Sequence, residues 1–344
     1  MEVYHWNSSR INEISGIRKY EDNLFEKLLE VAEKKSIELK IHRILRGTKR
    51  VLDSVVFSWL IKYKGKSNVH GTSQVLAPAI YLKKPRNHVI TVHDLAPLLY
   101  PFEIRDISEK IQWKIVPRAL KRIEHLIAIS KFTKNEIVRL LNVREENISI
   151  IYQGVDHQLY KPLSKESCRK FFGLSMDRKY ILYVASNLYH KRIDLAKKIF
   201  EEIKKYRDDV EMIKAGYSEK LEGEGIISME WIKEEDMPKL YNSADVYLHT
   251  SEYEGFGLPI LEAMACGIPV VASNRASIPE VVGNAGILVD LDSNAIKNFA
   301  EALLKVLEKE EKICKKSLER SKIFTWEKTA EETLKLYEAV FRKD

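Results

Sequence analysis

Cysteine is scarce: Cys168, Cys266 and Cys314 are the only three in 344 residues, and they lie far apart. That spacing offers neither a disulfide framework nor a zinc site and points to a reducing compartment. Long apolar runs are missing as well. No stretch approaches the roughly 18 consecutive apolar residues of a membrane-spanning helix. The opening Met1-Glu2-Val3-Tyr4 has no basic segment followed by an apolar one, so no secretory signal is read there and a cytoplasmic location is expected. Short repeats and low-complexity tracts are also lacking.

What is present suits two domains. A chain of 344 residues is too long for one ordinary α/β domain and about right for two. An apolar fraction of 45% is enough to fill their cores. The net charge is +7, with Lys and Glu abundant. An excess of cations attracts anionic ligands such as nucleotides, nucleic acid or a lipid surface. The plainer reading for most of these charges is an interspersed, solvated surface.

Short Val/Ile/Leu runs alternate with stretches of 3.6-residue periodicity. The runs predict strands at Leu39–Ile44, Val75–Tyr81, His88–Val92, Leu126–Ile129 and Ile148–Tyr152, then at Tyr180–Ala185, Val210–Lys214, Asp245–His249, Pro269–Ala272 and Gly286–Val289. Helices are expected at Ile17–Lys35, Ile107–Ile123, Ser293–Lys309 and Thr325–Arg342. Alternation of this kind is the pattern of doubly wound parallel sheets. It breaks near Gln153–Ser164 and restarts at Tyr180. The reading is therefore an α/β chain of two Rossmann-like domains, 1–160 and 161–325, with a C-terminal helix, 326–344, returning toward the first. Ligands of such sheets bind beyond the carboxyl ends of the strands, so two sheets facing each other across a cleft would hold the site.

The most informative segment is Ser251-Glu252-Tyr253-Glu254-Gly255-Phe256-Gly257-Leu258-Pro259-Ile260-Leu261-Glu262. Two glycines permit a tight turn with open backbone N–H groups. Pro259 suits the first helical position, and Gly267 with Pro269 ends a short helix, Pro259–Cys266. The helix N-terminus favours an anion, and a diphosphate is the natural one. Two carboxylates bracket the turn. Glu254 is placed to accept sugar hydroxyls or stabilise positive charge at an anomeric carbon, and Glu262 to accept ribose hydroxyls.

Glu254 and Glu262, spaced around Gly255-Phe256-Gly257-Leu258-Pro259, closely resemble the signature of the family 4 glycosyltransferases, retaining enzymes of the GT-B architecture. Ala276-Ser277-Ile278-Pro279-Glu280-Val281-Val282, Tyr241-Asn242-Ser243-Ala244-Asp245, Gly154-Val155-Asp156 and Trp326 resemble further segments of that family, in its order. The resemblance covers about two-thirds of the chain. It implies that Glu254 contacts the transferred sugar and Glu262 the ribose, and that Gly255, Phe256, Gly257 and Leu258 hold sugar and diphosphate through their backbone. It also implies a basic diphosphate contact at Lys191. Many members carry Arg where this chain has Ser186, and Arg192 or His190 is the nearest substitute. In the first half, His93-Asp94 follows a buried strand. By resemblance His93 is the family's active-site histidine, near sugar and acceptor, with Asp94 on the acceptor side. Gly16, in Ile14-Ser15-Gly16-Ile17, resembles the glycine turn after the first strand; family members often have two glycines there.

Asp290-Leu291-Asp292 invites comparison with a metal-binding aspartate pair, but it ends a strand and reads as a helix cap. No metal and no cofactor beyond the sugar nucleotide are expected. Ile107–Ile123 carries Lys110, Lys114, Arg118, Lys121 and Arg122 beside Trp113, with Pro117 expected to kink it. That stripe fits an anionic membrane surface or a lipid-diphosphate acceptor, or simply a solvated face.

The function expected is transfer of a hexose, glucose or mannose, from a UDP- or GDP-sugar to a hydroxyl of a glycan, lipid-linked or small-molecule acceptor, with retention and without a metal. By the same resemblance, transfer is direct and front-face, the leaving phosphate helping to deprotonate the acceptor. Rivals are a GT-B epimerase or glucan synthase, and a non-catalytic nucleotide- or nucleic-acid-binding subunit. Nucleic acid is not an expected partner, because no RNA-binding aromatic motif is present.

Overall fold

The computed structural model describes residues 1–10, 15–46, 67–104, 106–216, 220–308 and 310–341. They form two compact units. The first is Met1–Gly154 with Trp326–Asp344, and the second is Val155–Thr325.

Each unit is built on a six-stranded sheet. In the first the strands are β1 (Glu2–Arg10), β2 (Lys40–Arg46), β3 (Asn68–Gly71), β4 (Asn87–Val92), β5 (His125–Ala128) and β6 (Ile148–Ile150). They pair in the order β2-β1-β3-β4-β5-β6, all parallel. The second unit holds β7 (Lys179–Val184), β8 (Val210–Ala215), β9 (Ile226–Met229), β10 (Val246–His249), β11 (Val270–Ser273) and β12 (Ile287–Val289). Their order is β12-β11-β10-β7-β8-β9, again all parallel. The order reverses direction beside β1 and beside β7. Such switch points are where open α/β sheets bind ligands.

Parallel strands covered on both faces need apolar side chains on both faces, and β10 and β11 are buried throughout. The helix Gly16–Lys34 lies against one face of the first sheet with Tyr20, Leu24, Leu28 and Val31 inward. The C-terminal helix Trp326–Phe341 packs beside it through Trp326, Leu334, Tyr337 and Phe341. Thr329 Oγ1 donates to the Tyr152 carbonyl at 2.7 Å, fixing the start of that helix within the first unit. The ends of the second unit are tied to each other by a parallel bridge between Val155 and Thr325.

The segment Val75–Tyr81, expected as a strand, is a 3-10 turn (Gln74–Leu76) running into the helix Ala77–Lys83. Its apolar run is continuous because the first part of the helix is buried on all sides, and Pro78 in the first turn is the start signal. The strands at β1, β3 and β9 went unread in the sequence. The helix Ile107–Leu120 continues past Pro117, and the helix Ala295–Glu308 follows β12. Lys309 and Arg342, expected as the last residues of two helices, lie outside the described residues. Among the described residues no helix is long and apolar enough to cross a membrane.

Candidate functional site

In the second unit, β10 delivers the chain to a turn at its carboxyl end. Gly257 closes the turn with φ +102°, in the region only glycine enters without cost. A Cβ there would also meet Ile260 Cδ1 at 3.2 Å. Gly257→Ala is therefore expected to destabilise the second unit by about 1–2 kcal/mol, readable as a lower Tm; an unchanged Tm would show that the turn relaxes freely. The helix Leu258–Ala265 starts immediately afterwards, with Pro259 in its first turn. Ser277 braces the turn from behind, its Oγ donating to the carbonyls of Glu254 (2.9 Å) and Phe256 (3.0 Å). Phe256 is buried edge-on against Phe324. The backbone of Gly255–Leu258 is thus held rigid, with Gly255 and Leu258 half-buried.

Glu254 is 9% exposed, and its Oε1 accepts from Lys191 Nζ at 2.8 Å. The same oxygen lies 2.9 Å from His249 Nε2, and His249 Nδ1 lies 3.1 Å from the Tyr247 hydroxyl. Strand alternation puts Tyr247 and His249 on one face of β10, which aligns this relay. Burial pushes the Glu254 carboxyl up. The Lys191 charge and the His249 hydrogen bond outweigh it and hold the group well below the usual carboxylate range. Glu254 is therefore ionised, so His249 must carry a hydrogen on Nε2; in the neutral ring Nδ1 then accepts from Tyr247. His249 was not singled out in the sequence, where it only closes an apolar run.

Lys191 ends the 3-10 turn Tyr189–Lys191, and its carbonyl accepts from Tyr183 (2.7 Å) and Thr250 (3.1 Å). Arg192, at φ +55°, turns the chain into the helix Ile193–Lys204. Its guanidinium pairs with Glu252 and with Asp194, so its charge is already balanced. His190 is buried and its carbonyl accepts from the Glu252 amide at 2.8 Å. Ser186 is half-buried just past β7. Glu262, 4% exposed, accepts from the Tyr241 hydroxyl at 2.8 Å through Oε2. Burial and the Glu262 charge raise Tyr241 well above its ordinary pKa, so it stays a donor.

The first unit gathers a different set at the carboxyl ends of β1, β3 and β4. His93 is 6% exposed. Its Nε2 lies 2.8 Å from the Thr72 carbonyl and its Nδ1 3.1 Å from Gln153 Nε2. A carbonyl can only accept and an amide nitrogen can only donate, so the ring is the neutral Nε2–H tautomer. Burial lowers its pKa, in agreement. Asp94 accepts from the Ala96 amide at 3.0 Å. Gly16 is the exposed first residue of its helix, which Ser15 caps through the Arg18 amide; Ile14 lies outside the described residues. Glu21 carries no signal in the sequence, where it is one more charge on an amphipathic helix. Its buried carboxylate accepts from the Ser8 amide (2.7 Å) and Thr72 Oγ1 (2.6 Å) and meets the Ser9 hydroxyl, stitching β1 to β3.

Asp290 and Asp292 are committed locally, to Asn274 Nδ2 at 2.9 Å and to the Asn294 amide at 2.8 Å. Among the described residues no three His, Cys, Asp or Glu side chains are grouped for a metal.

Comparison with known proteins adds to this geometry. Residues 164–322 match the family described as "Glycosyl transferases group 1", and residues 59–159 match "Glycosyltransferase Family 4". The O-antigen chain mannosyltransferase RfbU of Salmonella typhimurium is 27% identical over 60% of this chain and 56% of its own length. The O-antigen chain mannosyltransferase B of Escherichia coli is 27% identical over 72% of this chain and 69% of its own. The chain thus spans little more than half of the Salmonella relative. Among solved structures, Anabaena HepE in complex with UDP and glucose superposes with a TM-score of 0.75 at 16% identity, over 99% of this chain and 100% of that one. The sucrose-phosphate synthase of Thermosynechococcus elongatus gives 0.76 at 18%, over 100% of both. Identity this low establishes the shared GT-B fold alone.

Proposed function

The chain belongs to the family 4 glycosyltransferases, and from that premise we propose that it transfers a hexose from a UDP- or GDP-sugar to an acceptor hydroxyl, with retention of configuration and without a metal. The observation that carries this reading is the ionised Glu254, clamped by Lys191 and His249 at the mouth of the Gly255–Gly257 turn. Transfer needs a cationic and dipolar cradle for the leaving diphosphate and negative charge beside the developing oxocarbenium centre. Lys191 and the N-terminus of Leu258–Ala265 supply the first, and Glu254 supplies the second. A carboxylate this strongly hydrogen-bonded is a weak nucleophile. Direct front-face transfer, with the leaving phosphate helping to deprotonate the acceptor, therefore fits better than a covalent glycosyl-enzyme.

The acceptor is a glycan, lipid-linked or small-molecule hydroxyl, and the reading sets the reaction in the cytoplasm, at or near its membrane face. Two mannosyltransferases among the relatives put GDP-mannose first in the order of testing, with UDP-glucose second. The test is a thermal-shift and product screen against UDP- and GDP-sugars, with and without EDTA. One donor should raise Tm equally in both conditions, and Glu262→Ala should weaken that donor at least about tenfold. Loss of the shift with EDTA would remove the metal-free reading. Donor turnover to a different sugar nucleotide without acceptor would make the chain an epimerase.

A further inference from the structure

We propose that the outer face of the helix Ile107–Leu120 in the first unit is a docking surface for an anionic phospholipid bilayer. It deepens the membrane-face reading above, and a vesicle assay, which needs no sugar donor, separates its failure from failure of the transfer reading.

The helix buries Trp113, Val116, Ala119 and Leu120 on one side. On the other side Ile107, Ile111 and Ile115 stand 74%, 54% and 41% exposed. Spaced four residues apart, they form one continuous stripe. Lys110, Lys114 and Arg118 run alongside at the same period, and Lys121 and Arg122 extend the row past the C-terminus; all five are exposed. Among the described residues none of the five is paired with a carboxylate. Arg118 donates to the Lys114 carbonyl, at 2.6 Å. The acids are elsewhere: Asp106 caps the first turn through the amides of Ser108 and Glu109, and Glu109 falls away from the stripe by helical period. Beside the cations lies a groove of about 420 Å³ whose lining includes Leu98, Pro117 and Leu140 together with Lys114, Arg118 and Lys121. The adjoining helix Ala77–Lys83 exposes Tyr81 and Leu82 as well.

Two features must be explained together. A solvated face accounts for the lysines but not for three exposed isoleucines, which are mediocre helix formers and gain nothing in water. A nucleic acid would use the cations, yet the stripe presents no aromatic platform for bases. A protein groove would use the isoleucines but leave the row of cations to be desolvated. An anionic bilayer uses both: phosphates meet the cations while the isoleucines enter the acyl boundary, as in helices that lie in the interface plane. Each Lys near such a surface strengthens binding several-fold.

Flotation of the full chain with phosphatidylcholine vesicles, with and without about a third phosphatidylglycerol, tests the proposal. The chain should float with the anionic vesicles only and be released as salt approaches about 0.5 M. Changing Lys110, Lys114 and Lys121 to Gln should weaken partitioning about a hundredfold. Ile111→Ser with Ile115→Ser, at constant charge, should weaken it at least about tenfold. Circular dichroism and Tm should be unchanged in both, since every altered side chain is exposed. Absence of phosphatidylglycerol-dependent flotation overturns the proposal. So does a serine variant that floats like the parent, because the face is then a general polyanion surface, and so does equal affinity for duplex DNA.

Discussion

Replacing Glu254 with alanine is expected to lower kcat/KM for sugar transfer about a thousandfold, with most of the loss in kcat. The carboxylate is ionised in the resting protein because Lys191 and His249 hold its Oε1 at 2.8 and 2.9 Å. Such a charge does little for a neutral bound sugar and much for an oxocarbenium-like centre, so its removal falls on the transition state. His249 acts through Glu254 and is a positioning residue. His249→Leu deletes the Nε2–H donor and should cost kcat about tenfold to a hundredfold while leaving the donor KM close to its parent value. His249→Gln returns an N–H to that side and should recover most of the loss, which a merely space-filling histidine would not allow. Lys191→Ala should instead raise the donor KM as well, because in the proposed function the lysine also serves the diphosphate. A Glu254→Ala enzyme keeping more than about a tenth of its kcat would show that the carboxylate does not act on the reacting sugar.

Much of this architecture can be read from the chain because buried parallel strands announce themselves. Ile181, Leu182 and Tyr183 in β7, or Val270, Val271 and Ala272 in β11, have to be apolar on both faces and leave no other reading. Strand β1 fails to announce itself for the opposite reason. Its Glu2–Arg10 sequence carries His5, Asn7, Ser8 and Ser9 in buried positions. His5 meets Tyr337, and Ser8 and Ser9 meet Glu21, partners distant in sequence that composition does not reveal. β3 has Val69 as its one large apolar residue, between Asn68 and His70, and β9 is only half-buried along its length, so neither shows a buried apolar run. Val75–Tyr81 misleads because a helix buried all round and a buried strand share one composition.

The candidate site divides along the same line. Its turn is legible because backbone geometry dictates residue type: φ +102° demands Gly257, and a helix starting at Leu258 accepts Pro259. The carboxylates stand out against that frame. Apart from Lys191, the groups that hold them do not. His249 and Tyr247 lie within a strand, Tyr241 within a helix, and Glu21 reads as one more charge on an amphipathic helix. What assigns them a task is a distance across the fold, and a single sequence holds no distances.

The first unit should lose stability as pH falls below about 6.5, well before the second. His5 Nε2 and His70 Nδ1 share the Tyr337 hydroxyl at 2.7 and 2.6 Å, and His70 Nε2 lies 2.8 Å from Thr91 Oγ1. Burial lowers His5 to about 3, with the Arg43 charge adding to it. Burial also carries His70 well below its ordinary value, helped by His5 and His93. His93 is lowered too, by burial, against the pull of the Thr72 carbonyl, Asp94 and Glu21. In the unfolded chain each titrates near 6.5, so below that pH the unfolded state binds protons that the folded state refuses. The stabilisation is complete above the unfolded pKa and declines until the folded pKa is reached. For His5 alone the loss is roughly 3 kcal/mol by about pH 4.5, and His70 acts in the same direction. Against a total of about 5–15 kcal/mol, that is enough to unfold a domain. In the second unit the depressed acids, Glu254, Asp245 and Asp209 among them, are carboxylates, whose contribution persists above the ordinary carboxylate pKa and is lost only as pH falls through it. Hydrogen exchange followed on peptides of each unit between about pH 7.5 and 5 should therefore show protection falling in the first unit alone. His5→Gln should start less stable at neutral pH yet decline less steeply. Equal decline in both units, or none in the first, would mean that the histidines take up protons without opening the core.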